Sequence, residues 1–254
     1  VNVVSGSASP GCGTTTADAQ PWKIIPILSV GRHYSSTLAN DRRFFYAPDY
    51  VQTVVGNTNY DAVIVGTGDR ENPKSTSATD WFYMFKDKDI DAGVLVNNTG
   101  TPLTHADLGD ITECTVAACL NQSAIVNGWR LKLECPTEGF TTPCGEKNLS
   151  TAVTIGGAIY FSTYIPKAGL SSNCQLLEGS GALYIIGVQN GNPVCLTDTC
   201  NPDTLTKTDR AEKVTSGGIP AEIVQLGDGR ILKPGMEGDT TLYPPGLKTY
   251  WYKK

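Results

Sequence analysis

The chain has 254 residues, enough for one large domain or two small ones, with 40% hydrophobic and only 18% charged residues. That balance excludes the weakly hydrophobic, highly charged signature of an unfolded chain. Twenty basic against 25 acidic residues leave a net charge of -5 with no basic run, which argues against a nucleic-acid partner. No stretch approaches the roughly 18 uninterrupted apolar residues of a membrane helix, so no membrane span is expected. The opening VNVVSGSASPGCG has no basic flank followed by an apolar core. Because the chain starts at Val1 and not Met, processing or truncation is expected to have removed any targeting segment.

Twenty-seven glycines and 15 prolines favour strands and turns over helices, since Gly costs backbone entropy in a helix and Pro removes a donor and clashes with the preceding turn. In chain order, Ile24 to Val30, Arg43 to Tyr46, Ala62 to Gly66, Trp81 to Lys86 and Trp129 to Glu134 read as strands. They are rich in β-branched or aromatic residues and bounded by Gly, Pro, Asn or Asp. Two places read as helical: a turn over Leu103 to Leu108, capped by Thr104 with Asp107 at its N3 position, and Cys119 to Asn127.

Three hairpins follow, because two-residue turns need dipeptides that tolerate positive φ. Gly156-Gly157 joins Thr151–Ile155 to Ala158–Ile165, Asn190-Gly191 joins Ala182–Gln189 to Pro193–Leu196, and Asp228-Gly229 joins Glu222–Leu226 to Arg230–Lys233. Lys248 to Tyr252 reads as a terminal strand, with Tyr250, Trp251 and Tyr252 closing a sheet.

These elements make an all-β chain of about a dozen strands. The turn landmarks Gly157, Gly191 and Gly229 recur at intervals of 34 and 38 residues, compatible with one supersecondary unit per interval. That favours a β-propeller of four-stranded blades with short accessory helices and disulfides over a sandwich. A dozen strands fill about three blades, whereas closed propellers have four to eight. The expectation is an incomplete ring, completed by upstream sequence, a second chain or a repeated copy.

Eight cysteines, Cys12, Cys114, Cys119, Cys135, Cys144, Cys174, Cys195 and Cys200, are an even number in turn-rich sequence, which points to disulfides in an oxidising compartment. Cys114 with Cys119, Cys135 with Cys144 and Cys195 with Cys200 can each close a local loop. Structural zinc wants tighter C-x2-C pairs, and c-type haem attachment is excluded because neither His33 nor His105 follows a cysteine.

Asp87, Asp89 and Asp91 alternate in a loop and can converge on Ca2+, although the EF-hand glycine and glutamate positions hold Ala92 and Asn98. The competing reading is a solvated acidic turn. Gly66-Thr67-Gly68 reads as a strand-ending turn and not a phosphate loop, since no P-loop completes it and Pro73 follows. Asp69, Arg70 and Glu71 are expected to pair with one another or with loop backbone. With two histidines and neither H-E-x-x-H nor G-x-S-x-G, a His-dependent hydrolase is unsupported, while a glycosidase carboxylate pair stays open.

Several segments in order resemble the C-terminal β-propeller domain of the PilY/PilC family of type IV pilus biogenesis and tip proteins. They are Phe44-Phe45-Tyr46-Ala47-Pro48-Asp49, the run from Ala62 to Glu71, Trp81 to Asp87, Gly128-Trp129, Gly145-Glu146-Lys147, Ala158 to Tyr164, Gly181 to Tyr184 and Gly218 to Glu222. The resemblance covers roughly residues 25 to 254 and carries weight through its order. It implies that residues 1–254 are the C-terminal portion of one propeller domain in a secreted, non-enzymatic protein. It also implies export through the periplasm to the cell surface or outer membrane, action as a tip adhesin or pilus assembly factor, and contacts with minor pilins and a host or abiotic surface. The family's calcium loop, D-x-D-x-D-x-x-x-D, is matched at Asp87, Asp89 and Asp91 but ends here on Leu95. The alternatives are an extracellular propeller enzyme such as a glycosidase, or a structural subunit of an extracellular filament.

Overall fold

A computed structural model describes residues 3–5, 23–31, 37–55, 58–88, 101–114, 125–140, 144–167, 178–194, 201–214, 217–226, 231–232 and 240–241. The chain is all-β. Its strands are β1 (Val3–Ser5), β2 (Lys23–Ile25), β3 (Leu28–Ser29), β4 (Asp49–Val55), β5 (Thr58–Gly66), β6 (Trp81–Asp87), β7 (Leu103–Thr104), β8 (Gly109–Asp110) and β9 (Gly128–Lys132). They continue through β10 (Lys147–Asn148), β11 (Val153–Ile155), β12 (Ala158–Ile165), β13 (Ser180–Gly187), β14 (Ala211–Val214), β15 (Val224–Gln225), β16 (Ile231–Leu232) and β17 (Thr240–Thr241). Helical structure among the described residues consists of short 3-10 turns such as His105–Asp107 and Lys207–Arg210.

Strands β4, β5, β6 and β9 form an antiparallel meander, with β8 added in parallel beyond β9. The second sheet repeats the plan with β12, β13 and β14, but its outer strand is broken. There β10 pairs with Thr163 and Tyr164, and β11 with Ala158 to Tyr160. At the break, side chains stand in for a strand. Ser162 N–H donates to Ser150 Oγ at 3.0 Å, and the Ser162 carbonyl accepts from Ser150 Oγ at 2.9 Å and Asn148 Nδ2 at 3.0 Å. A third, three-stranded sheet contains β15, β16 and β17.

The sheets stack face to face, as neighbouring blades do in a propeller. Between the first two lie Ala62, Ile64, Phe82, Met84 and Trp129 against Ile159, Phe161, Ala182, Tyr184 and Ile186. Phe82 stacks on Phe161 at 3.6 Å between ring centroids, and Phe161 on Tyr184 at 4.7 Å. Trp129 adds a buried donor, with Nε1 3.0 Å from the Val188 carbonyl. Each fully buried side chain of this size contributes about 1.5–3 kcal/mol. The opposite faces are also covered: Val63, Val65, Tyr83 and Phe85 by Ile27, Leu28, Val30 and Leu108, and Tyr160, Leu183 and Ile185 by Ile223 and Ile231. Because both faces are covered, β6 and β12 are buried at every residue and do not alternate between buried and exposed positions.

Gly156 and Gly157 sit at φ 59° and 81°, the positive-φ pair of a two-residue hairpin, with Ile155 facing Ala158. Thr104 caps the 3-10 turn at His105, its N–H and hydroxyl both 2.7 Å from an Asp107 carboxylate oxygen. Arg210, 2% exposed, ties the start of β14 to the first sheet's edge by donating to the carbonyls of Gly191, Ile111, Thr112 and Cys114 at 2.8–3.1 Å.

Several expected elements differ. Arg43 to Tyr46 is irregular, and the strand begins at Asp49, past Pro48. The run Ile24 to Val30 is divided by Pro26 into β2, paired with β1, and β3, paired with β7. Pro193 makes one isolated bridge to Ile186, and the strand that pairs with β13 on the side away from β12 is β14, because Pro has no N–H to extend a ladder. The Gly157 and Gly191 turns belong to the same sheet, where Val188 N–H donates to the Gly157 carbonyl at 2.9 Å, so the 34-residue interval is not a blade repeat. In the third sheet, β15 pairs with β16 with Gln225 facing Ile231, and the Asp228-Gly229 pair lies outside the described residues. Ile125 to Asn127 forms a turn, whereas Cys119 to Ala124 and Lys248 to Tyr252 lie outside the described residues.

Candidate functional site

At the seam between the first two sheets is a cleft of about 330 Å³, lined among others by Thr79, Asp80, Lys132, Cys144, Gly145 and Glu146. Gly66-Thr67-Gly68, at the end of β5, packs against β10 and reaches the cleft through Asp80. A Cβ on Gly66 would come 2.4 Å from Asn148 Oδ1, and one on Gly68 2.6 Å from the Asn148 carbonyl, so only glycine lets the two sheets meet here. Thr67 Oγ1 donates to Asp80 Oδ1 at 2.7 Å and accepts from Trp81 N–H at 2.9 Å, fixing Asp80 at the entry to β6.

Asp80 is 2% exposed, and its Oδ2 has no hydrogen-bond partner. Burial raises its pKa, opposed by the Thr67 hydroxyl and by the positive charges of Lys147 and Arg42. Lys147, equally buried, donates from Nζ to the carbonyls of Ser75 and Gly145, and burial lowers its pKa.

Glu146 is 1% exposed and accepts three hydrogen bonds: from Cys135 N–H at 2.5 Å, Thr163 Oγ1 at 2.5 Å and Tyr184 Oη at 3.0 Å. Burial nevertheless pushes its carboxyl up to about 7, with those bonds opposing. Burial also raises the Tyr184 phenol well above its ordinary value, aided by the Glu146 charge. Cys135 and Cys144 are joined by a disulfide with a Cα–Cα separation of 6.3 Å. Both sulfurs and a Glu146 oxygen lie within 4.8 Å of one another, but the sulfurs are bonded to each other and are not a thiolate set for a metal.

Cys114 is also disulfide-bonded, while Cys119, Cys195 and Cys200 lie outside the described residues. Of the three candidate calcium ligands, Asp87 is the buried last residue of β6 and faces Asp61 across the ladder, and Asp89 and Asp91 lie outside the described residues. Asp69 accepts from the backbone of Glu71 and Asn72 and pairs with Arg43 at 3.1 Å, while Arg70 lies over the Tyr46 ring at 5.6 Å. Sequence reasoning missed the roles of Glu146, Asp80 and Lys147. The only signal was the Gly145-Glu146-Lys147 string, which entered as one segment of the resemblance, and Glu and Lys are rarely buried.

No family model matches the chain, and no curated protein matches it by sequence. Among solved structures, the crystal structure of the Pseudomonas aeruginosa PilY1 C-terminal domain is similar, with a TM-score of 0.55 and 16% identity. The match covers 89% of this chain and 49% of that one, so the chain spans about half the length of the domain it resembles. The likeness is one of fold, and it fits the propeller-like stacking of the sheets.

Proposed function

We propose that the chain is a non-enzymatic, surface-exposed protein of the type IV pilus system, acting as a tip adhesin or assembly factor through recognition of minor pilins or a surface ligand. The observation that carries this reading is the shared fold with the PilY1 C-terminal domain. The Cys135–Cys144 disulfide fits an oxidising compartment outside the cytoplasm. Among the described residues, no helix is long and apolar enough to cross a membrane. The two cleft carboxyls do not favour a glycosidase, since both are buried and Glu146 is engaged by three protein donors. Deleting the gene in its own host and counting sheared surface pili tests the assignment. Loss of piliation or adhesion, restored by complementation, is expected, and unchanged piliation and adhesion overturns it.

On the same reading the stacked sheets are an arc of one larger propeller domain, with further blades meeting its outer faces. Calcium at the end of β6 belongs to this proposal as well. Asp87 and Asp61 face each other, and Asp61 Oδ1 is buried without a hydrogen-bond partner, so a cation would relieve the repulsion between like charges directly opposite. A rise in melting temperature with added calcium that D87N abolishes is expected. No shift at millimolar calcium removes the site.

A further inference from the structure

We propose that the Cys135–Cys144 disulfide is a thiol–disulfide exchange site, opened by a dithiol reductant that enters the cleft at Cys144, with Glu146 placed to protonate the departing Cys135 sulfur. Three observations carry this, and none depends on the pilus assignment. The disulfide is asymmetric: Cys135 is wholly buried, whereas Cys144 is partly exposed and lines the cleft. Attack is therefore directed to the Cys144 sulfur, which leaves Cys135 as the departing group. The Glu146 carboxyl is held against Cys135 by that residue's own N–H at 2.5 Å and reaches both sulfurs within 4.8 Å. Finally, Cys135 has φ 54° and Phe140, in the loop the disulfide closes, has φ 55°, left-handed conformations that side-chain-bearing residues adopt only when their surroundings impose them.

The exchange balances without a further reagent. One thiolate of the reductant attacks Cys144 Sγ and forms a mixed disulfide as the Cys135–Cys144 bond breaks. The electron pair stays on Cys135 Sγ, which takes the carboxyl proton of Glu146. The second thiol gives its proton to water and, as thiolate, attacks its partner sulfur in the mixed disulfide, releasing the Cys144 thiolate, which takes a proton back from water in the cleft. The reductant ends as a disulfide, Cys135 and Cys144 as thiols, and Glu146 recovers its proton from water in the cleft.

The groups that set this proton's availability come from several elements. Tyr184 and Thr163 donate to Glu146 from β13 and β12, and Glu134, after β9, raises its pKa while paired to Lys132 at 2.9 Å. Asp80 shares the cleft, the Lys147 ammonium is held by two carbonyls, and Arg210 acts on Tyr184 from behind.

The test uses the intact chain with dithiothreitol, measuring opening of the 135–144 bond by acid quench, alkylation and peptide mass, and with glutathione to trap the mixed disulfide. The rate constant per attacking thiolate is expected to fall about tenfold from pH 6 to pH 8, following the protonated fraction of a carboxyl near 7. Glutathione should be found on Cys144, and E146Q should give a slow, pH-independent rate. Should E146Q not fold, Y184F keeps the carboxyl and the aromatic ring but removes one bond that favours the anion, so the midpoint should move to higher pH. A flat profile in the native chain, glutathione on Cys135, an unmoved midpoint in Y184F, or opening that occurs only with global unfolding overturns the proposal.

Discussion

Glu146 keeps three hydrogen bonds that favour its anion, yet burial holds the carboxyl near 7 instead of its ordinary 4.5. The folded chain therefore binds this proton more tightly than the unfolded one. The resulting stability is full below pH 4.5 and is lost as pH rises through 7, by about 3 kcal/mol at most. His105 works the other way. Its ring meets Trp81 edge-on at 4.6 Å and its Nδ1 lies 2.9 Å from Tyr83 Oη, and burial followed by the charge of Arg130 pushes its pKa from 6.5 down to about 4. The neutral ring stabilises the fold above pH 6.5, and that contribution disappears as pH falls towards 4. The two windows overlap between pH 4.5 and 6.5, where the opposed slopes nearly cancel, so the native melting temperature should stay nearly flat there, while E146Q should make it rise from pH 4 to 6.5 and H105N should make it fall from pH 4.5 to 7. Identical profiles for all three proteins would show that neither group is coupled to folding. Nothing in the sequence around Glu146 announces its burial, because the strands that enclose it carry Thr163 and Tyr184, 17 and 38 residues further on.

Among the elements, those written by local backbone chemistry are the ones legible in advance. Gly156-Gly157 can only be a positive-φ turn, and Thr104 with Asp107 closes its cap within one 3-10 turn. Replacing Gly157, at φ 81° with open space around it, by Ala should cost about 1–2 kcal/mol through the backbone alone, read as a lower melting temperature, while G156N should be near neutral. Strand β4 was not legible: DYVQTVV mixes an exposed Tyr50 and Val54 with polar residues, and it is a strand because β5 lies beside it. The broken strand β10/β11 is likewise a tertiary product, since only the fold brings Ser150 and Asn148 to Ser162. S150A leaves the buried Ser162 N–H without its partner and should destabilise the chain by about 1–3 kcal/mol in chemical denaturation, whereas S150T, which retains a hydroxyl, should lose less.

For the molecule as a whole, the stacking of three sheets was foreseeable as blades, but their boundaries were not, because turns spaced by 34 residues proved to lie side by side at one end of a single sheet. The third sheet presents Val224 directly opposite Leu232, 48% and 44% exposed, while Ile223 and Ile231 face inward. An apolar cross-strand pair on an outer face suits contact with a further blade. V224K/L232K should therefore leave the melting temperature nearly unchanged but abolish any concentration-dependent rise in mass seen by light scattering. An equal rise in the variant would assign the contact elsewhere.

The interruption at Ser162 also bears on how the chain behaves in a crowded compartment. An unpaired sheet margin normally offers a ready track for a stray strand, the first step towards amyloid-like stacking. Here the outermost track is only two residues, then a gap already filled by a serine and an asparagine, then three residues. An incoming peptide finds no run of donors and acceptors long enough to seed on, so this flank of the protein is protected against templated misassembly by its own broken outline.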